Sequence, residues 1–234
     1  MRVLGIETAT LICGAAVVVD RRVIADHWIE EKNIHAERLV SLIGEAMDQA
    51  GLANVDLDGI AVSVGPGSFT GLRIGVSVAK GLAYAIERPL AAIPTLAALA
   101  ERIVRESHPP YSGYVLPILR ARRDEIYCQL LEARDGTLRP LWPPRDATLD
   151  QLPGLIENHD VLMTGEGVDK LAIERLFPPG LGRSLRVANA ELARCSAGII
   201  ALLGEETLER GEVADLAEIE PQYIKEFYFR TRQP

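Results

Sequence analysis

Apolar residues along the first hundred positions recur with two different periods, and the switch between them lays out an architecture. Val3 to Ile6, Cys13 to Val19 and Val23 to Ile29 are short apolar runs, the last two joined by the tight turn Asp20-Arg21-Arg22, and they predict three strands. From about His35 to Ala50 the spacing lengthens: Leu39, Leu42, Ile43, Ala46 and Met47 fall at helical intervals, and Gly51 is a natural stop. A strand at Ile60 to Val64, a helix from about Thr70 to Ile86, a strand at Leu90 to Ile93 and a helix opening at Pro94-Thr95 follow. The order βββαβαβα predicts an α/β protein with a ribonuclease H-like half, the unit duplicated in the actin, sugar kinase and Hsp70 class.

Ser107-His108-Pro109-Pro110 interrupts the pattern and divides the chain into an expected N-terminal subdomain, 1–106, and a C-terminal one, 107–234. Beyond the break, Tyr114 to Leu119 and Glu125 to Glu132 read as hairpin strands around Arg120-Ala121-Arg122-Arg123-Asp124, and Ala190 to Arg210 as a helix. More proline and fewer clear strands make the second half a shortened, degenerate version of the first.

Composition narrows the function. With 234 residues, 48% of them hydrophobic, the chain can bury real cores. A net charge of -8 argues against gripping nucleic acid unaided, because phosphate binding is driven by basic patches. The N-terminus has no secretory pattern, no run approaches 18 apolar residues, and Cys13, Cys128 and Cys195 form no disulfide framework. The expectation is a soluble, cytoplasmic protein with no membrane association.

Candidate chemistry centres on Gly65-Pro66-Gly67-Ser68-Phe69-Thr70-Gly71, at a strand-to-helix junction where amide groups can converge on an anion. Known loop chemistries fail one by one. The third glycine falls one residue late for a dinucleotide fingerprint and no acid ends the next strand; no Gly-Lys-Ser/Thr follows; Ser68 is not flanked as in a nucleophile elbow and reads as a helix cap. Glu7, Thr8 and Thr10, in the first hairpin, are candidates for phosphate or metal together with Gly65 and Gly67, or else they satisfy turn backbone. Gly165-Glu166-Gly167 is a candidate second loop, or a plain turn. His27, His35, His108 and His159 make no ligand pair, and His35 reads as a surface or capping residue.

The helix after the loop has an unusual composition. Gly67, Gly71, Gly75, Ala79 and Ala83 form a smooth ridge, apolar residues cover most of the remainder, and the polar stripe is only Arg73, Ser77, Lys80 and Tyr84. Such a helix has to be buried on more than one side. Two readings stay open: both helices are sandwiched within their own domain, or they form a two-helix surface for another chain. On the second reading the partner-binding set is Leu39, Leu42, Ile43, Ala46 and Met47 with Gly71, Ile74, Gly75, Val78, Ala79 and Leu82.

Ile6-Glu7-Thr8-Ala9-Thr10, His35-Ala36-Glu37-Arg38-Leu39, Gly65 through Gly75, Thr95-Leu96-Ala97-Ala98-Leu99 and Pro221-Gln222-Tyr223-Ile224 resemble, in this order, the bacterial TsaB (YeaZ) family. The match after about Pro109 is looser, and Glu7 stands where the family usually has aspartate. The resemblance implies an actin-like two-domain fold and a place in the machinery that makes threonylcarbamoyladenosine next to the anticodon. The family's catalytic relative, TsaD, carries its metal on a His-x-x-x-His pair, whose second member is Leu39 here. The chain is therefore expected to be a non-catalytic scaffold or activating subunit with no metal and no cofactor of its own, ATP or ADP lying if anywhere at a subunit interface. Its implied partners are a TsaD-type catalytic subunit, a TsaE-type ATPase, a second copy when alone, and tRNA through the complex. The competing readings are an autonomous actin-like ATPase or kinase using Glu7 and the glycine loops, and a protease, for which no nucleophile, base and orienter set is legible.

Overall fold

The computed structural model describes residues 1–121, 125–156, 159–166 and 185–224. The first sheet holds β1 (Arg2–Glu7), β2 (Ile12–Val19), β3 (Arg22–Glu30), β4 (Gly59–Gly65) and β5 (Leu90–Pro94) in the order β3-β2-β1-β4-β5. β1 runs antiparallel to β2 and parallel to β4, which is parallel to β5. Strand β4 is buried at every residue, because helices cover both faces.

On one face lie α1 (His35–Ala50) and α2 (Phe69–Ala85). Gly51, at φ +66°, ends α1 in the left-handed conformation that glycine adopts without steric cost. Ser68 starts α2, its Oγ accepting from the Gly71 N–H at 3.2 Å, as a cap should. The other face takes a closing helix, Ala197–Glu209, whose start differs from the expected Ala190. Ser196 caps it through the Ile199 N–H at 3.3 Å, while the Asn189 side chain takes the Leu192 N–H at 2.8 Å in a turn that competes with helix upstream. The first sheet thus draws a whole layer from beyond residue 107. A β-carbon on Gly5 would lie 2.3 Å from the Ala197 carbonyl oxygen, so helix and sheet meet backbone to backbone. Between the halves, α3 (Thr95–Glu106) packs against both sheets and the closing helix.

The second sheet repeats the first in order and sense. It comprises β6 (Gly113–Arg120), β7 (Glu125–Cys128), β8 (Leu131–Arg134), β9 (Thr137–Pro140), β10 (Arg145–Thr148), β11 (Val161–Thr164) and β12 (Leu185–Val187). The path is β10-β7-β6-β11-β12, antiparallel through β6 and parallel beyond it. The strand expected over Glu125 to Glu132 is two, β7 and β8, each pairing with a different part of β6. Pro117 lies opposite the break: its carbonyl takes the Gln129 N–H at 3.4 Å, but it has no N–H to return, and the ladder lapses there. Arg122, Arg123 and Asp124 of the expected hairpin turn lie outside the described residues.

Candidate functional site

Strand β1 ends at the seam between the halves, so Glu7, Thr8 and Thr10 fall where a ligand between the two sheets would be held. The glycine loop after β4 meets them there. The contacts are internal ones. The Glu7 carboxylate accepts from the Ala9 N–H at 2.5 Å and the Ser63 hydroxyl at 3.1 Å; the Thr10 hydroxyl takes the Ile12 N–H at 3.2 Å; the Ser68 N–H donates to the Ala9 carbonyl at 2.6 Å. A β-carbon on Gly67 would sit 2.3 Å from the Ala9 oxygen, and one on Gly65 2.7 Å from the Gln222 oxygen. Glu7, Thr8, Thr10, Gly65 and Gly67 are thus brought together as expected, but as a packed junction. The Ala9 and Ser68 amides, two of those that could face an anion, are bonded within the chain.

Glu7 is fully buried, and burial pushes its carboxyl up to about 7, opposed by the Ala9 N–H and Ser63 hydroxyl and reinforced by the charge of Glu166. Glu166, after β11, is likewise raised by burial. It lines a depression of about 540 Å³ at the seam with Leu11, Glu30, Gly165, Ala190, Glu191, Ala193 and Arg194. That lining holds three glutamates, Glu30, Glu166 and Glu191, and one arginine, Arg194. Gly167, the other glycine of the candidate second loop, lies outside the described residues. Among the described residues no group of three His, Cys, Asp or Glu side chains could hold a metal ion. Leu39 is buried in the core, and His35, expected at the surface, is buried too, its Nε2 3.2 Å from the Ile12 carbonyl oxygen.

The glycine ridge of α2 faces inward. A β-carbon would lie 2.2 Å from the Thr8 carbonyl oxygen at Gly71 and 2.2 Å from Thr8 Oγ1 at Gly75, while Ala79 and Ala83 are buried in the same core. Leu39, Leu42, Ile43, Ala46 and Met47 also belong to that core, and Ile74, Val78 and Leu82 are half-buried against it. Of the expected partner-binding set, the side chains of Leu39, Leu42, Ile43, Ala46, Met47 and Ala79 pack within the subunit, and Gly71 and Gly75 lie against Thr8. What the two helices turn outward is a different set. Val40 is 69% exposed and Tyr84 79%, and Ala36, Gly44, Ser77 and Gly81 are exposed beside them. Ala36, Val40 and Gly44 sit four apart, a small apolar stripe on an otherwise polar face, which was the available sequence signal. Among the described residues, a β-carbon at Gly44 or Gly81 would meet nothing within 4 Å.

Two sheets of one strand order, stacked helices and a seam between them define an actin-like protein. The fold alone is shared with a ROK family protein from Streptococcus pneumoniae solved in complex with sucrose, at TM-score 0.50 and 12% identity over 89% of this chain and 100% of that one. YeaZ from Pseudomonas aeruginosa is much nearer, at TM-score 0.79 and 28% identity over 95% of this chain and 99% of that one. A Bacillus subtilis protein named tRNA threonylcarbamoyladenosine biosynthesis protein TsaB is 28% identical over 225 residues, 96% of this chain and 94% of that protein. The family model described as TsaD, tRNA N6-adenosine threonylcarbamoyltransferase, matches residues 29–174. The chain belongs to this family, in its TsaB (YeaZ) branch. Among the described residues no helix is long and apolar enough to cross a membrane.

Proposed function

We propose that the chain serves tRNA threonylcarbamoyladenosine biosynthesis as a non-catalytic subunit that docks through the outward faces of α1 and α2 onto a TsaD-type catalytic subunit, with a TsaE-type ATPase completing the assembly. The observation that carries the docking face is Gly44 and Gly81. Each stands inside a helix, where glycine costs about 1 kcal/mol against alanine, and among the described residues neither has a neighbour that a methyl group would touch. No described residue of the subunit requires a glycine there. A closely approaching backbone from another chain does, and the exposed Val40 and Tyr84 beside them supply apolar contact.

The junction at Glu7 supports the non-catalytic half of the reading, because the Ala9 and Ser68 amides of the turn that would handle a phosphate are bonded within the chain and Gly67 lies against the Ala9 carbonyl. The test is copurification of Gly81→Arg with the catalytic subunit, followed by an assay for the modified nucleoside. Loss of both with the fold intact is expected; full binding by Gly81→Arg would overturn the docking face. Calorimetric titration of the free chain with Mg-ATP addresses the autonomous ATPase, which requires binding well below millimolar.

A further inference from the structure

After the closing helix the chain turns back along the first sheet as a strap, residues 212–224. Its Ala214 N–H bonds the Leu90 carbonyl at 2.8 Å and its Gln222 N–H the Val64 carbonyl at 2.7 Å, while Leu216 and Ile219 pack against the core. Three side chains of α2 reach to it. Lys80 Nζ donates to the Ile219 carbonyl at 3.3 Å, Arg73 Nε donates to the Tyr223 hydroxyl at 3.1 Å, and the Phe69 ring lies 5.2 Å from the Tyr223 ring. The Arg73 guanidinium also covers the Phe69 ring at 3.8 Å.

Residues 69, 73 and 80 share one flank of a helix with about 100° per residue. The outward stripe of Ser77, Gly81 and Tyr84 adjoins that flank, and the inward ridge of Gly71, Gly75 and Ala79 lies on the far side of the helix. Two glycines in its first two turns leave the start of α2 with little stability of its own, since each costs about 1 kcal/mol in a helix interior. Contacts from elsewhere must fix it, and on this flank the strap supplies them.

We propose that the strap is the brace that orients α2 for docking, with Tyr223 as its positioning residue. This rests on the docking face argued above, but one arm of its test does not. Tyr223→Ala is expected to speed hydrogen exchange of the Leu72 to Val76 amides in the free chain by about tenfold and to weaken binding of the TsaD-type subunit by about the same factor, the equivalent of roughly 1.4 kcal/mol. The midpoint of global unfolding should shift little, and Tyr223→Phe, which keeps the ring stack, should stay near the parent in both. If Tyr223→Ala fails to fold, Arg73→Gln at an exposed position replaces it, with the same pattern at smaller amplitude expected. Unchanged exchange at Leu72 to Val76 overturns the brace; faster exchange with undiminished binding overturns its role in docking. Should Gly81→Arg still bind the catalytic subunit, the docking face fails, and the exchange result on the free chain stands apart from it.

Discussion

Gly75 approaches Thr8 so closely that a β-carbon on it would fall 2.2 Å from the threonine Oγ1. The helix after the glycine loop is pressed onto the turn between the first two strands, and both Thr8 and Gly75 are buried. Gly75→Ala should therefore destabilise the chain by about 1–3 kcal/mol, the usual range for overpacking, read from the midpoint of urea unfolding. A variant as stable as the parent would mean that α2 is not seated there.

Gly44 and Gly81 predict the opposite. Alanine at either meets none of the described residues within 4 Å and should stabilise the isolated subunit by up to about 1 kcal/mol. The same change should weaken docking, because it places a methyl group where the partner backbone is proposed to lie. Unfolding of the free chain and titration with the catalytic subunit check the two halves of the statement. A gain in both would remove the argument for the docking face.

Glu7 makes stability depend on pH. Its carboxyl holds a proton more tightly folded, at about 7, than unfolded, near 4.5. The stabilisation is fully present below 4.5 and is lost as pH rises to about 7, a change on the order of 3 kcal/mol. Glu7→Gln, which imitates the protonated acid, should flatten that part of the profile and be the more stable form above pH 7. Parallel profiles for the two proteins would show that Glu7 is not desolvated.

Glu205 holds the closing helix to the first hairpin. Its buried carboxylate takes the Arg21 N–H at 2.8 Å and the Met1 ammonium at 2.9 Å. Removing it in Glu205→Ala leaves the Arg21 N–H unpaired and the Met1 ammonium with Asp20 alone, at a cost of about 1–3 kcal/mol. Thermal unfolding measures the loss, and Glu209→Ala, on an exposed pair with Arg21, should cost far less.

Periodicity made the first half legible. The runs through Leu4 and Val17 and the helical spacing of Leu39 to Met47 each report a local environment, and the structure has strands and a helix there. The second half was harder to read because Pro117 breaks one strand into two and Asn189 delays a helix, effects set by single hydrogen bonds. Which way a helix faces was the larger difficulty. A ridge of glycine and alanine at four-residue spacing says that something comes close, but not whether it is Thr8 of the same chain or a residue of another. The exposed pair Gly44 and Gly81 is hard to single out in a chain with 20 glycines, the four-residue spacing of Ala36, Val40 and Gly44 being the one sign of that face. Their meaning rests on empty space around them, which only three dimensions reveal.

The closing helix has a consequence for how the protein comes to exist. One face of the first sheet, with Val3, Gly5 and Ala61, is covered by residues near 200. On the ribosome the first hundred residues emerge long before that cover is made. Until then they hold an uncovered apolar face, and folding waits for the most distant contacts, the slow kind. The nascent N-terminal half is therefore the form most in need of shielding from its neighbours.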